Sequence, residues 1–226
     1  MSFPTLFVRP HEFGTICAIS IPDGEPSEID IARLHPDEAV VLSKFKRSRR
    51  STWVGGRLAL AQACEVLGHA ARPLLNDERG APVLPKGLTG SLTHKNSLAV
   101  ALVAPSQNGM RLGVDVESMK LRQSAIERMI LTDEERAIFQ RVLDSDKEKY
   151  LVSRFSLKES IYKAIDPFVQ RYVGFKEVEI VETDDTIGAR FMLKDNEGPF
   201  DVELRSEVVE IGDEKLLLTS ARATHL

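Results

Sequence analysis

The chain has 226 residues, of which 42% are apolar and 28% are charged. This balance is typical of a globular protein with a substantial core, and it excludes a fibrous or wholly disordered chain. Lys and Arg number 30 against 34 Asp and Glu, giving a net charge of -4, which argues against a dedicated nucleic-acid binder with a basic surface. Any anion binding must therefore depend on local groups of basic residues.

The longest uninterrupted apolar run covers residues 98–104, far short of the roughly 20 residues that span a bilayer. The first residues lack the apolar stretch of a signal peptide, so we expect a cytoplasmic protein that does not associate with membranes. Cys17 and Cys64 have neither CxxC spacing nor histidine-rich neighbours. The sequence therefore predicts two buried free thiols rather than a disulfide or a zinc site.

In the first part of the chain, residues 16–21 have the composition of a short strand. The apolar spacing of residues 36–67 predicts helical structure. Gly55-Gly56 weakens the middle of that stretch, which favours two helices with a break near Arg50 over one. Gly68 is placed where a helix that ends at residue 67 needs its terminating glycine.

Residues 76–90 are dense in Gly and Pro, which predicts a shaped surface loop. Residues 91–104 begin polar and end as an apolar strand, and the polar connector at 105–109 is the best candidate boundary. We therefore expect an N-terminal half at 1–104 and a C-terminal half at 105–226.

The second half alternates helical and strand patterns. A strand at 111–117 and a helix around 124–130 precede Thr132 and Glu135, which have capping-box spacing and predict a further helix start. The next helix, about 146–165, should end before Pro167. Beyond Val173 the β-forming runs are separated by turns, which predicts an antiparallel meander. The fold class is therefore α+β, as two halves in tandem.

Two carboxylates stand out in the strand GVDVE. Asp115 and Glu117 are two residues apart, so a strand directs both side chains to one face. The predicted helix at about 146–165 places Ser156, Glu159, Ser160 and Lys163 on one stripe of its surface. Each pattern alone is compatible with an ordinary exposed polar face or a surface Glu–Lys pair. Together, the three carboxylates would suit Mg²⁺ holding a phosphate.

Two further groups are candidates for phosphate contacts. Thr93-His94 should emerge at a strand end, although a lone His is more often structural. The basic run at residues 44–50, with Arg57 seven residues further on, is either a solvated helix face or an anion-binding site.

In order, the strings GGRLALA, RGAPVLP, GSLTH, GVDVE and FSLKESIYKA resemble the signature blocks of 4′-phosphopantetheinyl transferases of the Sfp and EntD type. The blocks span roughly residues 45–165. The resemblance implies two similar α+β halves related by a pseudo-twofold axis, with coenzyme A in the cleft between them. Two positions depart from the common pattern: Ala81 stands where many members have the Lys of a GKP triplet, and Thr93 replaces the commoner Ser before His94.

The resemblance implies Mg²⁺-dependent transfer of the 4′-phosphopantetheine arm from coenzyme A to a serine of an apo carrier protein, with release of 3′,5′-ADP. The implied magnesium ligands are Asp115, Glu117 and Glu159. The implied catalytic groups are Glu159, Lys163 and His94. The implied contacts with coenzyme A are Arg50, Arg57, Arg79, Gly80, Pro82, Thr93, His94, Asp115, Lys158 and Lys163. Glu159, or a water beside it, is expected to accept the serine proton.

Two alternative functions stay open at this point. A magnesium-dependent phosphohydrolase could use the same carboxylates with water as nucleophile, and a non-catalytic carrier-binding protein could share the fold. Product identity distinguishes the first alternative from transfer, and the retention of the three carboxylates with Lys163 argues against the second.

The carrier is expected to be acyl, peptidyl or aryl, small and acidic, and to dock on a basic and apolar patch. Candidates are residues 122–141, with Arg122, Arg128, Met129 and Ile130, and the basic run before Arg50. Two halves in one chain predict a monomer. The R-x6-R spacing of Arg50 and Arg57 resembles enterobactin-type members, which indicates siderophore or other secondary metabolism.

Overall fold

The computed structural model describes residues 2–69, 73–95, 97–119, 123–183, 186–194 and 197–226. The chain divides into two units, Met1–Gln107 and Asn108–Leu226, so the division lies within the connector at 105–109. Each unit contains antiparallel strands and a long helix, which confirms the predicted α+β class. Within the described residues, no helix has both the length and the apolar character needed to cross a bilayer.

An antiparallel sheet with a long helix against it forms the first unit. Its strands, in the order β1-β2-β4-β3, are β1 (Thr5–His11), β2 (Gly14–Ser20), β3 (Leu88–Lys95) and β4 (Leu98–Pro105). Its helices are α1 (Glu28–Ile31), α2 (Pro36–Leu42) and α3 (Arg47–Val66). Helix α3 packs on β2, β3 and β4 and buries apolar residues such as Val54 and Leu60 against them.

Helix α3 runs through Gly55 and Gly56 without interruption, so the predicted break near Arg50 is wrong; the break lies between α2 and α3. A Cβ on Gly55 would lie 2.7 Å from Cγ1 of Ile21, and one on Gly56 would lie 2.9 Å from Cδ2 of Leu92. The two glycines therefore let the helix lie close to the strands. This packing offsets their cost of about 1 kcal/mol each relative to alanine.

Residues 91–104 belong to two strands rather than to the single strand predicted. β3 and β4 pair as an antiparallel hairpin in which Lys95 lies opposite Leu98. β1 was not predicted, because its residues are exposed or half-buried and it lacks the apolar run that marks β2 and β4. The segment before β3 is a loop, as predicted, with one bridge between Asn76 and Pro82.

The second unit contains two antiparallel sheets within the residues described, with the strand orders β5-β9-β8 and β6-β7. Its strands are β5 (Arg111–Ser118), β6 (Val178–Glu182), β7 (Ile187–Phe191), β8 (Phe200–Ile211) and β9 (Glu214–His225). Its helices are α4 (Gln123–Ile130), α5 (Asp133–Phe139) and α6 (Lys147–Val169). The predicted single meander is therefore wrong. β9 pairs with both β5 and β8, and its residues 216–221 are buried, as befits a central strand.

Helix α6 continues to Val169 instead of ending before Pro167. The missing N–H of Pro167 removes one helical hydrogen bond in the last turn. Phe168 and Val169 nevertheless pack on the core of the second unit, and the ring centroid of Phe168 lies 5.6 Å from that of Phe200. The helix ends where Gln170 adopts a left-handed conformation. Burial of two apolar side chains outweighs the local signal of the proline.

Candidate active site

Strand β5 and helix α6 are in direct contact at Gly113. A Cβ there would lie 1.7 Å from the carbonyl oxygen of Ser160, so a side chain has no room between the two elements. Alternate residues of a strand share a face, so Asp115 and Glu117 lie on the face of Gly113, toward α6. Both carboxylates are buried, in residues that are 5% and 8% exposed. The sequence spacing predicts this shared face.

Both oxygens of the Asp115 carboxylate accept hydrogen bonds from α6. Lys163 Nζ donates to Oδ1 at 2.8 Å and to the carbonyl oxygen of Val114 at 2.9 Å. Ser156 Oγ donates to Oδ2 at 2.9 Å. The Lys163 side chain is 26% exposed, so this ion pair lies at the edge of the buried region. Helix α6 therefore supplies Asp115 with a charge partner and with a hydroxyl.

Glu159 lies half-buried on the same helix. Burial raises the pKa of its carboxyl, the negative charges of Asp115 and Glu117 raise it further, and the Lys163 ammonium opposes them. Glu159 thus interacts with two further carboxylates and with the Lys163 ammonium. This surplus of negative charge favours the binding of a cation.

Among the described residues, no three His, Cys, Asp or Glu side chains gather into a metal-binding group. The set Asp115, Glu117 and Glu159 therefore stays a prediction as a magnesium site. The residue types fit the ion, because Mg²⁺ prefers carboxylate oxygens. Beyond the effect of burial, Asp115 and Glu117 also raise the pKa of Glu159, and a bound cation would relieve their repulsion of its carboxylate.

Lys158 is enclosed within the second unit. Its side chain is 1% exposed, and Nζ donates to Oε2 of Glu135 and to the carbonyl oxygen of Ile130, each at 2.6 Å. Burial lowers the pKa of Lys158, and Glu135 opposes that effect. These contacts indicate that Lys158 stabilises the packing of this unit, and its predicted contact with coenzyme A stays a prediction.

Arg57 is a buried cation of the first unit. It is 2% exposed, and its guanidinium carbon lies 3.8 Å from the ring centroid of Trp53. Nη2 donates to Oδ1 of Asn76, whereas Nε and Nη1 have no hydrogen-bond partner among the described residues. Burial lowers the pKa of Arg57 to about 10, while the charge of Glu38 opposes the decrease. Unsatisfied donors on a buried cation suit an anionic ligand, so Arg57 fits the predicted phosphate contact.

Arg50 is paired within the first unit. Its Nη1 lies 3.3 Å from Oε2 of Glu25, and Nε donates to the carbonyl oxygen of Phe45 at 3.2 Å. Arg47 shares the same carboxylate through a 2.8 Å contact. A coenzyme A phosphate would therefore have to compete with Glu25 for Arg50.

Arg79, Gly80 and Pro82 belong to a tight turn held by Asp77. Asp77 Oδ1 accepts the backbone N–H groups of Arg79 and Ala81, each at 2.9 Å. Gly80 has a φ of +89°, a conformation that residues with side chains rarely adopt. The turn is therefore shaped by its own hydrogen bonds, and it leaves Arg79 and Gly80 exposed.

Thr93 and His94 lie near the end of β3, as predicted. Thr93 is buried, at 6% exposure, whereas His94 is exposed. Consecutive strand residues point to opposite faces, so the two side chains diverge. His94 is therefore the member of the pair that a ligand can reach from solvent.

Two family models together match most of the chain. The 4′-phosphopantetheinyl transferase N-terminal domain matches residues 37–104, and the 4′-phosphopantetheinyl transferase superfamily matches residues 111–218. The second match contains β5 and α6, which carry Asp115, Glu159 and Lys163. The chain belongs to this superfamily. The resemblance seen in the sequence motifs is thereby confirmed.

This transferase is similar to several curated enzymes. It is 30% identical over 169 residues to a 4′-phosphopantetheinyl transferase of Streptomyces mobaraensis, covering 72% of this chain and 68% of that protein. It is 28% identical over 183 residues to a 4′-phosphopantetheinyl transferase of Mycobacterium tuberculosis, covering 76% and 80%. It is 33% identical over 142 residues to enterobactin synthase component D of Salmonella typhi, covering 62% and 58%.

Two residues that contact the predicted site residues of this transferase were missed by the sequence analysis. Thr219 lies opposite Asp115 in the pairing of β9 with β5, and its hydroxyl contacts that of Ser156. Glu135 was predicted only as a cap of α5, yet it also binds Lys158. A polar residue directly after an apolar run is the one signal that could have marked Thr219. Nothing in the capping pattern indicates the lysine partner of Glu135.

Proposed function

We propose that this transferase moves the 4′-phosphopantetheine arm of coenzyme A onto a serine hydroxyl of an apo carrier protein. The serine oxygen forms a bond to the phosphorus that carries the arm, the bond from that phosphorus to the bridging oxygen breaks, and 3′,5′-ADP leaves. The observation that carries the proposal is the Asp115–Lys163 ion pair, both members of which interact with Glu159, inside the region that matches the superfamily.

Asp115, Glu117 and Glu159 are the proposed ligands of Mg²⁺. When bound, the ion would neutralise charge on the pyrophosphate and orient it for in-line attack. The support from this chain is that Asp115 and Glu117 add to burial in raising the pKa of Glu159, a repulsion that a cation would offset.

Glu159 is the proposed acceptor of the serine proton. It is half-buried, and in the cation-free chain its pKa is raised by burial and by two neighbouring carboxylates, while Lys163 opposes them. A carboxylate is a suitable general base for a hydroxyl, and the bound cation would lower its pKa by offsetting the repulsion. Glu159 and Lys163 both belong to α6, so the proposed proton acceptor and the proposed phosphate-binding lysine are held by one helix.

Lys163 is the proposed partner of a pyrophosphate oxygen. Two of its three protons go to Asp115 and Val114, and its side chain is 26% exposed, which leaves a third donor for a ligand. In the first unit, the proposed contacts with coenzyme A are Arg57, whose Nε and Nη1 have no partner among the described residues, and the exposed His94. The remaining proposed contacts are Arg50, Arg79, Gly80, Pro82 and Thr93.

The proposed docking patch for the carrier lies on α4 and α5. Arg128 is exposed, Met129 is 53% exposed and Ile138 is 49% exposed. Ile130 is fully buried and cannot take part, contrary to the sequence prediction, and Arg122 lies outside the described residues. Basic and apolar side chains on one exposed segment suit a small acidic helical domain.

The relative from Salmonella typhi supports a role in siderophore or other secondary metabolism for this chain. The predicted monomer and the predicted cytoplasmic location stay predictions.

The test is to incubate the protein with coenzyme A, Mg²⁺ and a set of apo acyl, peptidyl and aryl carriers, and to measure intact carrier masses. We expect at least one carrier to gain the phosphopantetheine arm. Glu159→Gln should abolish transfer while binding of coenzyme A stays measurable. Glu148→Gln, on the same helix, is the matched control and should transfer normally.

Two outcomes would contradict the proposal. Release of free phosphate or of phosphopantetheine without mass gain on any carrier indicates hydrolysis instead of transfer. Full turnover by Glu159→Gln would refute its role as proton acceptor.

A further inference from the structure

Two buried hydroxyls lie behind the Asp115 carboxylate. Ser156 Oγ donates to Oδ2 of Asp115 at 2.9 Å and lies 2.8 Å from Oγ1 of Thr219. Ser156 and Thr219 are both 0% exposed. Thr219 pairs with Asp115 across β5 and β9, so the two side chains share the face toward α6. Three elements therefore converge on one carboxylate oxygen.

The available protons limit the possible directions of this chain of hydrogen bonds. Each hydroxyl has one proton. If Ser156 gives its proton to Asp115, the 2.8 Å contact between the hydroxyls needs the proton of Thr219. Thr219 Oγ1 also donates to the carbonyl oxygen of Ser156 at 2.9 Å, so its one proton has two possible acceptors. The arrangement that satisfies both the carboxylate and the hydroxyl contact is Thr219 to Ser156 to Asp115.

A directed chain of this kind strengthens its last bond, because each donor polarises the next in a low-dielectric interior. The last bond fixes Oδ2 of Asp115, while Lys163 fixes Oδ1 at 2.8 Å. The carboxylate plane is therefore held from both ends. Groups that orient a metal ligand in this way typically change metal affinity or activity by about 10- to 100-fold when they are removed.

We infer that Thr219, acting through Ser156, is a positioning residue that sets the orientation of the Asp115 carboxylate for the cation of the transfer reaction. The inference rests on the proposed function, since it names Asp115 as a ligand. It assigns a role to β9, a strand outside the sequence motifs of the family resemblance. It also separates Ser156 from Ser160, whose hydroxyl donates to Leu157 of its own helix.

The experiment measures Mn²⁺ binding to the whole chain, with and without coenzyme A, by electron paramagnetic resonance of the free ion. We expect Thr219→Val to weaken Mn²⁺ binding about 10-fold and Ser156→Ala to weaken it by up to about 100-fold. The Mg²⁺ concentration for half-maximal transfer should rise by the same factors, and kcat at saturating Mg²⁺ should recover. Thr219→Ser keeps the hydroxyl and should bind Mn²⁺ like the wild type.

Ser160→Ala is the matched control, because it removes an equally buried hydroxyl from the same helix. It should leave Mn²⁺ affinity unchanged. The inference would be overturned if Thr219→Val bound Mn²⁺ with wild-type affinity. It would also be overturned if saturating Mg²⁺ did not restore the kcat of this variant, because such a loss indicates a purely structural role. Failure of the proposed function is a separate result, seen as absence of arm transfer by the wild type.

Discussion

Lys158 and Lys163 lie on the same helix and have opposite environments. Lys158 forms a pair with Glu135 in which the side chains are 1% and 0% exposed. Lys163 is 26% exposed and binds the Asp115 carboxylate. Removing one member of a buried pair leaves the other charge without a partner in a low-dielectric interior, which is strongly destabilising. Lys158 therefore anchors α6 to the start of α5, and Lys163 serves the proposed reaction.

We expect Lys158→Met to lower the free energy of unfolding by about 3 kcal/mol or more, because Glu135 loses its charge partner. The KM for coenzyme A of the folded variant should be unchanged, since the ammonium does not face solvent. Urea unfolding, together with kinetics well below the melting temperature, measures both. Lys149→Met, which is exposed on the same helix, should change neither. If Lys158→Met raised the KM for coenzyme A and left the free energy of unfolding unchanged, Lys158 would contact coenzyme A after all.

At the scale of elements, the contact between β5 and α6 determines where the carboxylates and lysines meet. Gly113 allows the Ser160 backbone to approach the strand. Close to this contact, Asp115 on β5 meets Ser156 and Lys163 on α6. A wider separation would lengthen every hydrogen bond across the pair of elements. The close approach is therefore a condition for the site and not only for packing.

We expect Gly113→Ala to destabilise the protein by about 3 kcal/mol or more, because the added methyl group would meet backbone atoms at 1.7 Å and cannot be accommodated by a rotamer change. Arm transfer should fall with it. Chemical unfolding and the carrier mass assay measure the two effects. Gly188→Ala is the control, since its Cβ would have its nearest neighbour at 3.9 Å. Wild-type stability of Gly113→Ala would show that the two elements can separate freely.

At the scale of the whole molecule, a net charge of -4 opposes association with an acidic carrier. Docking therefore needs a local basic area. The basic run near residue 47 is partly neutralised, because Arg47 and Arg50 both contact Glu25. Arg128, exposed beside Met129, is the better candidate.

We expect Arg128→Glu to raise the KM for the carrier several-fold at low salt, with little effect on the KM for coenzyme A. The difference from wild type should shrink as ionic strength rises, because salt screens an exposed charge. Steady-state kinetics at two salt concentrations measure this. Lys194→Glu makes the same charge change at another exposed position and should behave like wild type. Equal carrier KM values for both variants would place the docking patch elsewhere.

Local signals predicted a large part of the fold. The capping box that starts α5 is present, with the backbone N–H of Glu135 donating to Thr132 Oγ1 at 3.2 Å. Gly68 follows α3 with a φ of +79°, as predicted. The errors at Gly55-Gly56 and Pro167 share one cause, because contacts with distant residues outweighed unfavourable local preferences. The order of the strands in the second unit was missed for a similar reason, because the sequence of a single strand does not determine which strand it pairs with.

The sequence by itself determined the α+β class, the superfamily and the residues on which the proposed chemistry depends, because periodicity and motif spacing are properties of short segments. Only the tertiary structure decided the partners of those residues: Lys158 with Glu135, Lys163 with Asp115, and Thr219 behind Ser156. Side chains on the same motif can turn toward different neighbours. Which neighbour each one meets depends on packing between elements that lie far apart in the chain.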